Sequence, residues 1–134
     1  MSVIAETDLS VLLKNLNPVA SSENFVFTTL PADKLTSTLI KAAKGMFHER
    51  EGTTLILPVV AARQANLQYE GYYRCITCEV HSSLEAVGMT AAMSTALGKA
   101  GISANVVAAY YHDHIFVPAD KVDVAVEVLT SLSN

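Results

Sequence analysis

Four residues occur twice in this chain, PADK at 31–34 and again at 118–121, each time directly after a short apolar and β-branched run. A repeat that keeps both letters and context constrains a fold strongly, because each copy has to be one supersecondary unit. The match extends beyond the four residues. FTTLPADKL at 27–35 lies beside HIFVPADKV at 114–122, and LLKNLNPVA at 12–20 lies beside ALGKAGISA at 96–104 as helix end, breaker and strand start. The offsets are 87 and 84 residues, which places a three-residue difference in the intervening hairpin. In each copy the proline suits the first helical position, where its missing N–H costs nothing, and the aspartate two residues on suits the positive end of the helix dipole.

The second half of the chain gives the element order. Residues 72–80, YYRCITCEV, are aromatic and β-branched and lie between turn signals, so they predict a strand. Ser82-Ser83-Leu84-Glu85 has capping-box spacing, which predicts a helix from near Ser83 to Lys99 or Ala100, ended by Gly101. Residues 103–111 form a second strand, His112-Asp113 a hairpin turn, and residues 115–117 a third strand. Pro118 opens a last helix with Val122, Ala125, Val126, Leu129 and Leu132 as its apolar stripe. In the first half, a helix is expected over 34–44, with Leu35, Leu39 and Ala42 on one stripe and Gly45 ending it. TTLIL at 53–57 reads as a buried strand, and a helical turn follows Pro58 to about Ala65. The first copy shows no strand ahead of its first helix, and residues 53–57 could fill that role. The expected fold class is therefore α+β: two ferredoxin-like βαββαβ units with antiparallel sheets, at 1–52 and 53–134, sharing or exchanging a strand.

Composition narrows the function. With 134 residues and 51% apolar content the chain can bury a core, but neither unit is large enough to expect independent stability. Nine Lys and Arg against thirteen Asp and Glu, scattered along the chain, argue against a nucleic-acid partner. The first residues carry no basic n-region, and no run of about 18 uncharged apolar residues occurs, so a soluble cytoplasmic protein is expected. Cys75 and Cys78 have C-x-x-C spacing, but on a strand they point to opposite faces, which suits packing thiols and not a redox or zinc pair. Neither a nucleophile beside a base, nor convergent carboxylates, nor a phosphate-cradling glycine loop is present, so no catalytic activity and no cofactor are expected.

Residues 76–129, from ITCEVHSSLEAVGM through AGISANVVAAYYHDHIFVPADKV to VAVEVL, resemble an ACT domain, the small-molecule-sensing module found on amino-acid biosynthetic enzymes. The chain as a whole is similar to stand-alone tandem-ACT proteins. The resemblance implies binding without catalysis: paired domains hold a free amino acid or related metabolite against the first strand-to-helix loop and the second strand, and a regulated enzyme partner is implied. Carried onto this sequence, the loop is His81, Ser82, Ser83 and Leu84 with Val87 and Gly88 behind it, and the strand is Asn105, Val106, Val107 and Ala108. Backbone N–H groups near Ser83 could receive a carboxylate, Gly88 would permit close approach, and the Asn105 amide could read an amino group or side chain. A homodimer is the expected assembly.

Each of these residues also has a plainer role. Ser82 and Ser83 suit a helix cap, Gly88 helix packing, Asn105 a turn or sheet edge, and His81 the surface. A structural or protein-interaction module without a ligand is the competing reading, since edge strands of such sheets pair readily with another subunit. His112 and His114 are two apart and could share one face, so a metal site with Asp113 or His81 is a third reading, weakened by the mobility expected of a hairpin tip.

Overall fold

A computed structural model describes residues 6–134. In chain order the elements are α1 (Leu9–Lys14), β1 (Pro18–Leu30), a 3₁₀ turn (Ala32–Lys34), α2 (Ser37–Ala42), β2 (Gly45–His48), β3 (Thr53–Pro58) and α3 (Val59–Gln64). There follow β4 (Tyr73–Cys78), α4 (Met89–Lys99), β5 (Asn105–Ala108), β6 (Asp113–Pro118), a second 3₁₀ turn (Ala119–Lys121) and α5 (Val122–Ser131). Contacts divide the chain into a unit of residues 22–73 and a unit of residues 6–21 with 74–134. β1 is the element that both draw on: its first four residues belong to the second of these units, and the rest to the first.

In the 22–73 unit the strand order is β2-β3-β1. β1 lies antiparallel to β3, with Phe25 opposite Pro58 and Leu30 opposite Thr53, and β2 lies antiparallel on the other side of β3. Val26, Leu30, Leu39, Leu55, Leu57 and Ala62 form its buried core. Thr36 caps α2, its hydroxyl oxygen accepting from the Leu39 N–H at 3.2 Å.

In the other unit the order is β1-β4-β6-β5. Its core is larger, drawing Leu12 and Leu16 from α1 and its following turn, Met89, Met93 and Leu97 from α4, and Val122, Ala125 and Leu129 from α5. α4 ends as expected: Gly101 takes φ 75°, and the Ile102 N–H turns back to the Leu97 carbonyl at 2.9 Å.

The repeat is real, but it is not the one that PADK marks. The two hairpins correspond pair by pair, Gly45 opposite Ile56 and His48 opposite Thr53 in one, Asn105 opposite Phe116 and Ala108 opposite Asp113 in the other. β3 and β6 share one burial pattern and end in prolines of nearly equal backbone angles, Pro58 at φ −54°, ψ 139° and Pro118 at φ −52°, ψ 136°. PADK does open a 3₁₀ turn at both places. The strands before it differ in position, however: Pro31 follows β1, and Pro118 follows β6. Proline sets only local geometry, so the motif can follow any strand, while pairing decides equivalence.

Several expected boundaries shift for the same reason. Residues 53–57 belong to β3, hydrogen-bonded to β1 and β2 of the 22–73 unit, and do not supply the first copy's opening strand, the role in which they were expected. The first copy's opening strand is β1, so the division between units falls within β1 and at 73–74, where 52–53 was expected. β1 is one continuous strand of 13 residues, with no hairpin at its polar stretch, because a neighbouring strand satisfies that polarity. The Ser21 hydroxyl accepts from the Cys75 N–H at 3.1 Å, and the Ser21 carbonyl accepts from the Arg74 guanidinium at 2.6 Å. Gly45 starts β2 instead of simply ending a helix, and α2 covers only Ser37–Ala42.

Candidate functional site

The expected ligand loop has a different local structure from the capped helix that Ser83 suggested. α4 begins at Met89, and the Ser83 hydroxyl accepts from the Glu85 N–H at 3.0 Å in a local turn. Glu6 runs beside this segment: its N–H donates to the His81 carbonyl at 3.0 Å, and its carbonyl accepts from the Ser83 N–H at 2.9 Å. The N–H expected to receive a ligand carboxylate is thus occupied by the chain's own backbone. Gly88 precedes α4 at φ 98°, and a Cβ there would lie 3.0 Å from Leu9 Cδ2, so its small size accommodates α1. Ser82 is buried, whereas the Leu84 and Val87 side chains are 66% and 83% exposed.

The second expected segment is β5. It is the last strand in its unit's order and largely exposed, with only Val106 packed against the core. The Asn105 amide donates to the Phe116 carbonyl at 3.3 Å. Loop 81–88 and β5 are therefore held by separate partners: Glu6 and Leu9 for the loop, β6 for the strand.

Asp113 and His114, expected at a hairpin turn and just ahead of a strand at 115–117, both lie in β6, paired with Ala108 and Val107, and the two histidines separate. His114 Nδ1 lies 2.8 Å from the Thr77 hydroxyl and 4.0 Å from Cys75 Sγ, while His112 Nδ1 lies 3.3 Å from the Val80 carbonyl. Asp113 between them is buried, and burial raises its carboxyl above the ordinary value, with His112 acting in the opposite direction. Among the described residues no group of three or more His, Cys, Asp or Glu is placed to hold a metal ion. Cys75 and Cys78 are buried and form no disulfide. Cys78 Sγ lies 3.7 Å from Met93 Sδ, and burial pushes its thiol up to about 12, which keeps it neutral.

The 22–73 unit carries a feature that sequence reading missed. A groove of about 670 Å³ opens between α2 and α3, where Leu30, Leu39, Ala42, Ala61 and Leu67 supply apolar lining. Its polar lining includes Lys34, Thr36, Gln64, Asn66 and Gln68. Asn66 takes φ 55°, and the turn after α3 is tied by the Leu67 N–H to the Ala62 carbonyl at 3.0 Å.

Strand order, hairpin register and helix placement together define a tandem α+β protein of ferredoxin-like units. Its sequence matches the ACT domain over residues 4–74 and again over 70–131. The chain belongs to the ACT-domain family. Among solved structures it is similar to a Vibrio cholerae protein described as of unknown function and a possible transport protein, at 40% identity over 94% of this chain and 96% of that one, TM-score 0.82. The fold is also that of the ligand-free regulatory subunit of aspartate kinase from Thermus thermophilus, at 8% identity, TM-score 0.64, covering 88% of this chain and 97% of that one. Aspartate kinase from Clostridium acetobutylicum matches at 10% identity and TM-score 0.64, over 90% of this chain and 36% of that one. No curated protein matches the sequence significantly.

Proposed function

We propose that this chain is a regulatory module without catalytic activity of its own, which binds a free amino acid or related small metabolite and passes the bound state to an enzyme partner in the cytoplasm. The observation that carries this reading is the pair of ACT matches spanning the chain, supported by a fold shared with a regulatory subunit over nearly that subunit's whole length. The ligand site of the reading comprises His81, Ser82, Ser83, Leu84, Val87 and Gly88 of the loop, with Asn105, Val106, Val107 and Ala108 of β5. Exposed Leu84 and Val87, and the unpaired edge of β5, are features that a second copy would cover, so the site is completed in a homodimer.

A thermal-shift screen of the twenty amino acids, with light scattering on the same samples, tests this. A specific ligand at 100 times its Kd stabilises by about 2.7 kcal/mol, which the melting point reports. The expected result is a dimer stabilised by one amino acid or a small related group. A dimer that no amino acid stabilises would instead favour the structural module.

A further inference from the structure

We infer that the groove between α2 and α3 is a second ligand site, and that it takes a small monocarboxylic acid with an apolar body. The observation behind this is a difference in the helix layers of the two units. α4 and α5 run 11 and 10 residues and each bury three side chains. α2 and α3 run only 6 residues each and bury one apiece, Leu39 and Ala62. Two short helices leave open the space that longer ones fill. At about 670 Å³ the groove falls in the range of small-molecule sites, and it combines an apolar surface with a few polar groups, as such sites do.

The chemistry of the rim selects the class. Among the described lining residues Lys34 alone is charged, which favours a single anionic head and disfavours a cation. Among the described residues no ion pair joins Lys34 to a carboxylate. A phosphate would call for more positive charge than one ammonium provides, whereas a carboxylate is matched by it. The side-chain amides of Gln64, Asn66 and Gln68 can donate to the second carboxylate oxygen or accept from a ligand hydroxyl or amine. Leu39, Ala42 and Ala61 would meet the hydrocarbon part.

Titration of the ¹⁵N-labelled full chain with hexanoate, and with hexanol as an uncharged molecule of the same length, tests the site. Hexanoate is expected to move the amides of residues 30–42 and 61–68, and hexanol to bind roughly tenfold more weakly, the loss of one charge-assisted contact. Lys34→Gln should bring hexanoate down to the level of hexanol without changing the spectrum elsewhere. Ala42→Phe, which fills the groove, should abolish the response; circular dichroism reports whether that variant folds, and Lys34→Gln carries the test if it does not. Unmoved groove amides at about 10 mM hexanoate, equal binding of the alcohol, or indifference to Lys34→Gln would each overturn the proposal. Amino acids bound as proposed above would move residues 81–88 and 105–108 instead, so either proposal can fail alone.

Discussion

The two units carry one hairpin geometry, yet they cover their strands differently. In the unit built from residues 6–21 and 74–134, α1 joins α4 and α5, and Leu12, Met93, Leu97, Ala125 and Leu129 are all fully buried in one cluster. In the 22–73 unit, two single-buried-residue helices border a groove. The units therefore agree in the part fixed by backbone pairing and differ in helix length and buried side chains.

Substitutions that act on one cover and not the other can break this comparison. The largest effect is expected from Leu97→Ala, which leaves a cavity in the closed unit and should cost about 3 kcal/mol in chemical denaturation. Leu39→Ala, at the edge of the groove, should cost less, about 2 kcal/mol, because its surroundings are already partly open; equal losses would mean that the helix layers are equally packed. Gly88→Ala should cost about 1–2 kcal/mol, since it combines a left-handed backbone with the approach of Leu9. Thr36→Ala removes the α2 cap for about 1 kcal/mol.

The smallest effect has the opposite sign and depends on pH. Burial raises the Asp113 carboxyl, so the folded state holds that proton more tightly than the unfolded chain. The associated stability is present below the unfolded pKa and is lost as pH rises through the folded one. Asp113→Asn should therefore raise the melting point at pH 7, by the equivalent of up to about 1 kcal/mol, and the gain should vanish near pH 3. A gain that persists at pH 3 would place the effect elsewhere than in the charge.

Much of this architecture could be read from the sequence where local chemistry and tertiary outcome agree. α5, the strand at 53–58, the strand at 73–78 and the Gly101 helix end all carry period and punctuation that their surroundings reinforce. The structure departs from the local pattern where distant partners decide. The polar residues of β1 resemble a turn until the Ser21 bonds to Arg74 and Cys75 are known. Ser83 and Glu85 have capping spacing, but Glu6 takes the Ser83 N–H, and Gly88 delays the helix by its left-handed backbone. Gly45 looks like a helix terminator, yet it pairs with Ile56. The groove had no sequence signature, because it arises from residues that are small or missing between two helices.

Native-state amide hydrogen exchange tests the contrast between a closed and an open cover most directly. The amides of α4 and α5 are expected to exchange much more slowly than those of α2 and α3, and hexanoate is expected to slow the second pair alone. Equal protection of the four helices, unchanged by hexanoate, would contradict the account.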